Sequence, residues 1–285
     1  MHVHTLKVPG ATLRYETRGS GPALLLLPGG GADAAVWDPL ADTLADHFTV
    51  VAPDPRGTTR SPLDGPPEDQ SPAEQADDAA LLLASVTDEP AYVLGISAGA
   101  IVAVDLLQRH PTLVRRVVAH EPPLVELLPD AAEQRSFFAS VVEAHRERGV
   151  EAAMAVMAAG TGGGDAGGGT GGDAAGGGER RAPAAHTPPP PEVFRRMSAN
   201  APFFLEHQLR QFTGHLPDLD ALVPHADRLV PAAGEESRGL LLRRPAEALA
   251  HRLGVGLAEF PGGHVGCVER PAAFADRLLE VLLKS

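Results

Sequence analysis

Ser97 stands in the run Gly95-Ile96-Ser97-Ala98-Gly99, a spacing that suits a nucleophile. A serine hydroxyl at its free pKa attacks poorly, so it has to be held exposed on a strained turn beside a base. The run follows an apolar segment, Tyr92 to Ile96. It opens a pattern in which Ile101, Val102, Asp105, Leu106 and Arg109 keep helical spacing. That context matters, because G-x-S-x-G alone is a weak signal in a chain with 31 glycines. The matching base is His264, carried by Pro261-Gly262-Gly263-His264 between the last strand-like run and the last helical one. Its imidazole is expected to take the serine proton during attack and return it to the leaving group. Pro28-Gly29-Gly30-Gly31 follows another apolar run and has no Cβ atoms at its glycines to obstruct a backbone donor. The amides of Gly30 and Ala98 are therefore the expected oxyanion hole. A phosphate cradle is excluded there, since the lysine and hydroxyl of a nucleotide-binding loop are missing.

Elements of a particular kind must position these groups. Short apolar runs alternate with helix-length amphipathic segments, the pattern of a mostly parallel sheet with helices on both faces, an α/β fold. The start reads as a hairpin, His2 to Val8 and Ala11 to Thr17 around Pro9-Gly10. Strands are expected at Leu24–Leu27, Phe48–Ala52, Tyr92–Ile96, Val114–His120, Arg228–Ala233 and Leu257–Phe260. Most of these are apolar throughout, as strands buried on both faces should be. Trp37, Leu40, Ala41 and Leu44 share one helix face, and Ser71-Pro72-Ala73-Glu74 reads as a capping box opening a helix to about Val86. Phe274, Leu278, Val281 and Leu282 form the inner face of a last helix.

The interval between His120 and Arg228 is far longer than one crossover helix requires. Residues 122–226 are therefore expected to form a helical cap inserted into a core made of 1–121 and 227–285. Helical patterns cover Ala131–Arg148, Val150–Ala159 and Glu192–Phe212. Between them, twelve of the nineteen residues from Gly160 to Gly178 are glycine, a composition expected to be disordered because it buries too little to order itself. Pro188 to Pro191 stiffens the return into the next helix. Met154, Met157, Phe203, Phe204 and Phe212 are expected on the apolar underside of the insertion.

Together these motifs resemble the α/β-hydrolase superfamily of serine hydrolases, over roughly Thr12 to Glu121 and Arg228 to Leu283. Pro28-Gly29-Gly30 is similar to that family's His-Gly-x loop with proline replacing histidine. Asp54-Pro55-Arg56-Gly57-Thr58-Thr59-Arg60-Ser61 is similar to its Asp-x-Arg-Gly-x-Gly-x-Ser loop with one glycine lost. The resemblance implies an acid that completes a triad with Ser97 and His264. Its usual place is a Gly-x-x-Asp run after the penultimate core strand, but that run here is Gly234-Glu235-Glu236-Ser237, and serine cannot carry the charge. The other place the superfamily uses is the end of the strand after the nucleophile helix, where Glu121 precedes two prolines. Glu121 is the first choice; Glu236 or Glu235 on a shifted loop and a dyad without an acid are the alternatives. Such a site implies hydrolysis of a carboxylic ester, lactone or thioester through an acyl-enzyme. Cofactor-free perhydrolase or C–C bond hydrolase chemistry uses the same constellation, and a non-catalytic ligand receptor on this fold is the alternative of a different class.

Composition narrows the partners. With 24 Lys and Arg against 37 Asp and Glu, the formal charge of −13 opposes binding to nucleic acid or anionic lipid through a bulk field. No apolar stretch approaches the ~20 residues that span a bilayer, and no signal peptide precedes the hairpin, so a soluble, cytoplasmic protein with a small-molecule substrate is expected. The single cysteine, Cys267, is read as a packed residue. His2 and His4 share a strand face, but two ligands do not make a metal site, and neither metal nor cofactor is expected.

Overall fold

The chain begins with a hairpin, β1 (His2–Val8) and β2 (Ala11–Arg18), whose turn is closed by Gly10 at φ 76°. In the computed structural model, which describes residues 1–162 and 191–283, there follow β3 (Ala23–Leu27), α1 (Asp38–Ala45), β4 (Thr49–Pro53), α2 (Pro72–Val86), β5 (Ala91–Ile96), α3 (Ala98–Arg109) and β6 (Val114–His120). Next come α4 (Ala131–Arg148), α5 (Val150–Thr161), α6 (Pro191–His207), α7 (Leu209–Thr213) and α8 (Leu219–Leu222). The chain then returns through β7 (Leu229–Gly234), α9 (Arg243–Leu253), β8 (Ala258–Phe260), α10 (Gly266–Glu269) and α11 (Pro271–Leu283). The eight strands lie in the order β1-β2-β4-β3-β5-β6-β7-β8, antiparallel across the first two pairings and parallel from β4 onward.

Alternation explains why the central strands are apolar throughout. Leu25 and Leu27 of β3, Val93 of β5 and Val117 of β6 point to the face covered by α2, α3 and α9, where Leu82, Ile101 and Leu249 meet them. Leu24, Leu26, Leu94 and Val118 point to the opposite face, against Trp37, Leu40, Leu44, Phe274, Leu278 and Leu282. Burying each such large apolar side chain stabilises by about 1.5–3 kcal/mol relative to exposure. The segment between β6 and β7 has a small core of its own, in which Phe138, Val141 and Val142 of α4 meet Ala153, Leu205 and Leu209.

Several expectations are corrected locally. Ser71 caps α2, accepting from the Glu74 amide at 3.1 Å, but the Glu74 side chain pairs with Arg56 instead of reaching back. Arg56 is almost fully buried, and its bidentate bond to Asp78 and its bond to the Pro9 carbonyl explain why it draws Glu74 away. The helix expected over Val150–Ala159 runs on to Thr161, so Gly160 is helical, and Gly162 ends it in the left-handed conformation at φ 82°. The rest of the glycine-rich tract and Pro188 to Pro190 lie outside the described residues. The helix expected over Glu192–Phe212 breaks at Gln208, giving α6 and α7. Met154 faces outward, and Phe212 joins the main core.

Strand register decides where the connecting loops emerge. Leu27 pairs with Gly95, Ile96 with His120, His120 with Ala232, and Gly234 with Phe260. The carboxyl ends of β3, β5, β6, β7 and β8 therefore share one edge, the crevice where open parallel sheets bind ligands. Residues 28–31, 97, 121, 235–237 and 261–264 all leave the sheet there.

Candidate active site

Ser97 joins β5 to α3 with φ 54° and ψ −120°. Among the described residues, Ser97 and Glu121 (φ 47°) are the non-glycine residues with positive φ. Each such conformation costs on the order of 1–3 kcal/mol and persists where surrounding structure enforces it. At Ser97 the enforcement is close packing. A Cβ on Gly95 would sit 2.3 Å from the Gly99 carbonyl oxygen, and one on Gly99 would sit 2.2 Å from that of Leu27. Strand, helix start and neighbouring strand can approach this closely only with glycine at both positions. The Ser97 amide then donates to the His120 carbonyl at 3.0 Å.

Glu121 is fixed at its backbone by donation to the Ala232 carbonyl at 2.9 Å, and at its carboxylate by two donors. Gly234 donates its amide to Oε1 at 2.8 Å, and Nδ1 of His264 lies 2.8 Å from Oε2. The glutamate is fully buried, while the histidine side chain is 28% exposed. Burial alone would raise the Glu121 pKa, but the hydrogen bond and charge of His264 outweigh it and hold the carboxyl at about 2. Ser237 contributes in the same direction, its buried hydroxyl favouring the anion from nearby without a formed hydrogen bond. An ionised carboxylate only accepts, so Nδ1 carries the hydrogen of that bond and Nε2 is left as the other ring position.

The alternative acids lie elsewhere. Glu235 and Glu236 are exposed, and Glu236 pairs with Arg270 at 2.5 Å. Gly262 accepts from the Glu236 amide at 3.0 Å, which fixes that loop with its carboxylate outward.

The glycine loop after β3 borders Ser97, since a Cβ on Gly29 would lie 3.4 Å from the serine Cβ. Its turn is closed by the Ala32 amide donating to Gly29 at 3.2 Å, with Gly31 at φ 73°. Ala98 is the first residue of α3, so its amide belongs to the unpaired first turn. Behind the loop, buried Asp54 accepts from the Ala34 amide at 2.9 Å and from Arg60 at 2.6 and 2.8 Å.

Sequence reasoning missed the partners that α6 supplies. Arg196 pairs with Asp33, Asn200 donates to the Gly31 carbonyl and accepts from the Thr59 amide, and Phe203 and Phe204 lie against Gly57 and Gly30. These polar contacts join residues 141 to 169 positions apart, and no local pattern carries such information.

Of the other groups singled out, Cys267 is buried and its thiol is pushed up to about 12, chiefly by desolvation, so it is a packed and unreactive thiol. His4 meets Thr17 at 2.8 Å. Among the described residues no cluster of three or more His, Cys, Asp or Glu is placed to hold a metal ion, and no helix is long and apolar enough to cross a membrane.

A family model for the alpha/beta hydrolase fold matches residues 22–153. The uncharacterized hydrolase YraK of Bacillus subtilis is 33% identical over 286 residues, covering 98% of this chain and 96% of its own. The 2-(acetamidomethylene)succinate hydrolase of Mesorhizobium japonicum is 37% identical over 126 residues, 44% of this chain and 45% of that one. Among solved structures, a thermophilic esterase from Thermogutta terrifontis superposes with a TM-score of 0.70 at 19% identity, over 99% of this chain and 98% of that one. The chain belongs to the α/β-hydrolase family and is a hydrolase of that fold.

Proposed function

We propose that the chain is a serine hydrolase that cleaves a carboxylic ester, lactone or thioester of a small molecule through an acyl-enzyme. Ser97 is the nucleophile, His264 the general base and acid, Glu121 the orienting carboxylate, and Gly30 and Ala98 the oxyanion donors. The observation that carries this reading is the Glu121–His264 hydrogen bond at 2.8 Å on the sheet edge where the strained Ser97 sits. Nε2 accepts the Ser97 proton as Oγ bonds to the carbonyl carbon, and the displaced electron pair moves to the carbonyl oxygen facing the two amides. Collapse breaks the bond to the leaving oxygen or sulfur, which takes the proton from Nε2. Water then attacks the acyl-enzyme with the same base, releasing the acid and restoring Ser97. The segment 122–226 is the cap that shapes the substrate cavity, consistent with its separate small core.

The ester-type reading is supported by likeness to an esterase fold, while the relative from Mesorhizobium acts on 2-(acetamidomethylene)succinate and matches less than half of the chain. A fluorophosphonate probe tests the site directly. One adduct is expected on Ser97 by peptide mapping, together with turnover of p-nitrophenyl esters that Ser97→Ala abolishes. An adduct elsewhere, or none on folded protein, overturns the reading, and the receptor alternative predicts the latter.

A further inference from the structure

One stripe of α6 follows the glycine loop residue by residue. Arg196, Asn200 and Phe204 recur every fourth position, on one helix face. They meet Asp33, Gly31 and Gly30 respectively, so the helix runs along the loop in the opposite direction. Asn200 is the centre of this stripe and is only 2% exposed. Its Nδ2 donates to the Gly31 carbonyl at 3.2 Å and its Oδ1 accepts from the Thr59 amide at 2.8 Å. Because one partner accepts and the other donates, they fix which way the amide faces.

A run of three glycines cannot hold one conformation by itself, since glycine populates both signs of φ almost equally. The turn Gly29–Ala32 has one internal hydrogen bond, from the Ala32 amide to Gly29 at 3.2 Å. The Gly31 carbonyl that Asn200 holds shares one peptide plane with the Ala32 amide, and that amide donates to the Gly29 carbonyl, whose own peptide plane carries the Gly30 amide, so the contact sets where the Gly30 amide points. The Phe204 ring lies where a Cβ of Gly30 would be, 2.0 Å from that position, and so limits movement toward the cap.

We infer that Asn200 is a positioning residue for the oxyanion hole: by bridging the Gly31 carbonyl and the Thr59 amide, it keeps the Gly30 amide aimed at the developing oxyanion, so that docking of α6 and assembly of the hole are the same event. The inference rests on the serine-hydrolase reading. It assigns to the cap helix a part in catalysis separate from shaping the cavity.

The test compares the parent with Asn200→Asp and Asn200→Ala. Aspartate keeps the acceptor for Thr59 and has nearly the same shape, but it sets an acceptor against the Gly31 carbonyl. Both variants are expected to keep quantitative fluorophosphonate labelling of Ser97 while kcat for p-nitrophenyl acetate falls about 10- to 100-fold and KM stays within about threefold, a milder loss than removal of an oxyanion donor. The Ki of an aryl trifluoromethyl ketone, whose adduct carries the oxyanion, should rise by the same factor as kcat/KM falls. A merely structural asparagine lowers the thermal midpoint and leaves kcat per labelled site and the Ki within twofold of the parent; that result overturns the inference. Should Asn200→Ala fail to fold, Asn200→Asp decides by the same two readouts. If the parent neither labels nor turns over esters, the serine-hydrolase reading falls and takes this inference with it. A labelled, active parent with unaffected variants removes this inference alone.

Discussion

The amide of Ser97 donates to the carbonyl of His120 at 3.0 Å, so the strained Ser97 turn is tied to the residue just before Glu121. Two strained positions on adjacent strands are thus joined by one backbone bond, and the carboxylate of the second holds His264 by Nδ1. If Glu121 orients that ring and stabilises the imidazolium, Glu121→Gln should label at Ser97 but turn over esters about 10³- to 10⁴-fold more slowly. Glu236→Gln, which removes only an exposed pair with Arg270, should stay within about twofold. The opposite ranking, measured at matched folded fraction, would return the acid to the loop after β7.

The middle of the sheet was legible because its strands are apolar on both faces. Leu24 to Leu27 and Tyr92 to Ile96 need no partner information to be recognised, and each falls within a strand of the structure. Local motifs marked Ser97 and His264 as candidates for a related reason, since each sits on a short loop bracketed by a strand and a helix. Choosing between Glu121 and Glu236 as the candidate acid needed distance information, because both follow a parallel strand on the same edge and only the fold decides which side chain turns toward His264. The stripe Arg196, Asn200 and Phe204 was invisible for a deeper reason. Its partners lie on loops more than a hundred residues earlier, and a buried asparagine in a helix has no sequence signature apart from them.

His120 gives a pH prediction. Its ring is fully buried between Phe260 and Phe274, both nitrogens lack partners, and desolvation, followed by the opposing charge of Glu121 and the like charge of His264, sets its pKa near 4 against an ordinary 6.5. The folded state therefore binds fewer protons than the unfolded chain between these values. The resulting stability is fully present above pH 6.5 and is lost as pH falls toward 4, on the order of 3 kcal/mol at most. Glu121, held at about 2 against an ordinary 4.5, adds a second loss lower down, from pH 4.5 to 2. Urea midpoints of His120→Phe should be nearly flat from pH 7 to 5, where those of the parent fall. Parallel curves would remove His120 as the cause.

The glycine-rich tract gives a test of loop cost. Closing entropy grows only logarithmically with length, so deleting 163–177 changes little if the tract is a tether. Gly162 is left in place because it caps α5 at φ 82°. The thermal midpoint is expected within about 4 °C of the parent, roughly 1 kcal/mol or so for a domain of this size, and kcat within about threefold. A fall beyond about 8 °C would assign the tract a structural role.

The contact between Gly30 and Phe204 can be examined by a double-mutant cycle. A Cβ at Gly30 would overlap the Phe204 ring at 2.0 Å, so Gly30→Ala must displace either the ring or the glycine loop. The ring belongs to α6, whose Asn200 holds the next residue of that loop, and movement of either element disturbs the same turn. Gly30→Ala alone is expected to lower kcat by about 10- to 100-fold and to reduce the thermal midpoint. Phe204→Ala alone opens space beside the loop and should cost stability through lost packing of this partly buried ring against the buried cluster of the inserted segment, with a smaller effect on kcat. Combined, the two should be less damaging than their sum, because the side chain that the new methyl strikes is gone. A coupling of about 1 kcal/mol or more in activation free energy would mark the clash as the cause. Additive losses would mean instead that alanine harms the loop by restricting its backbone, whatever lies above it.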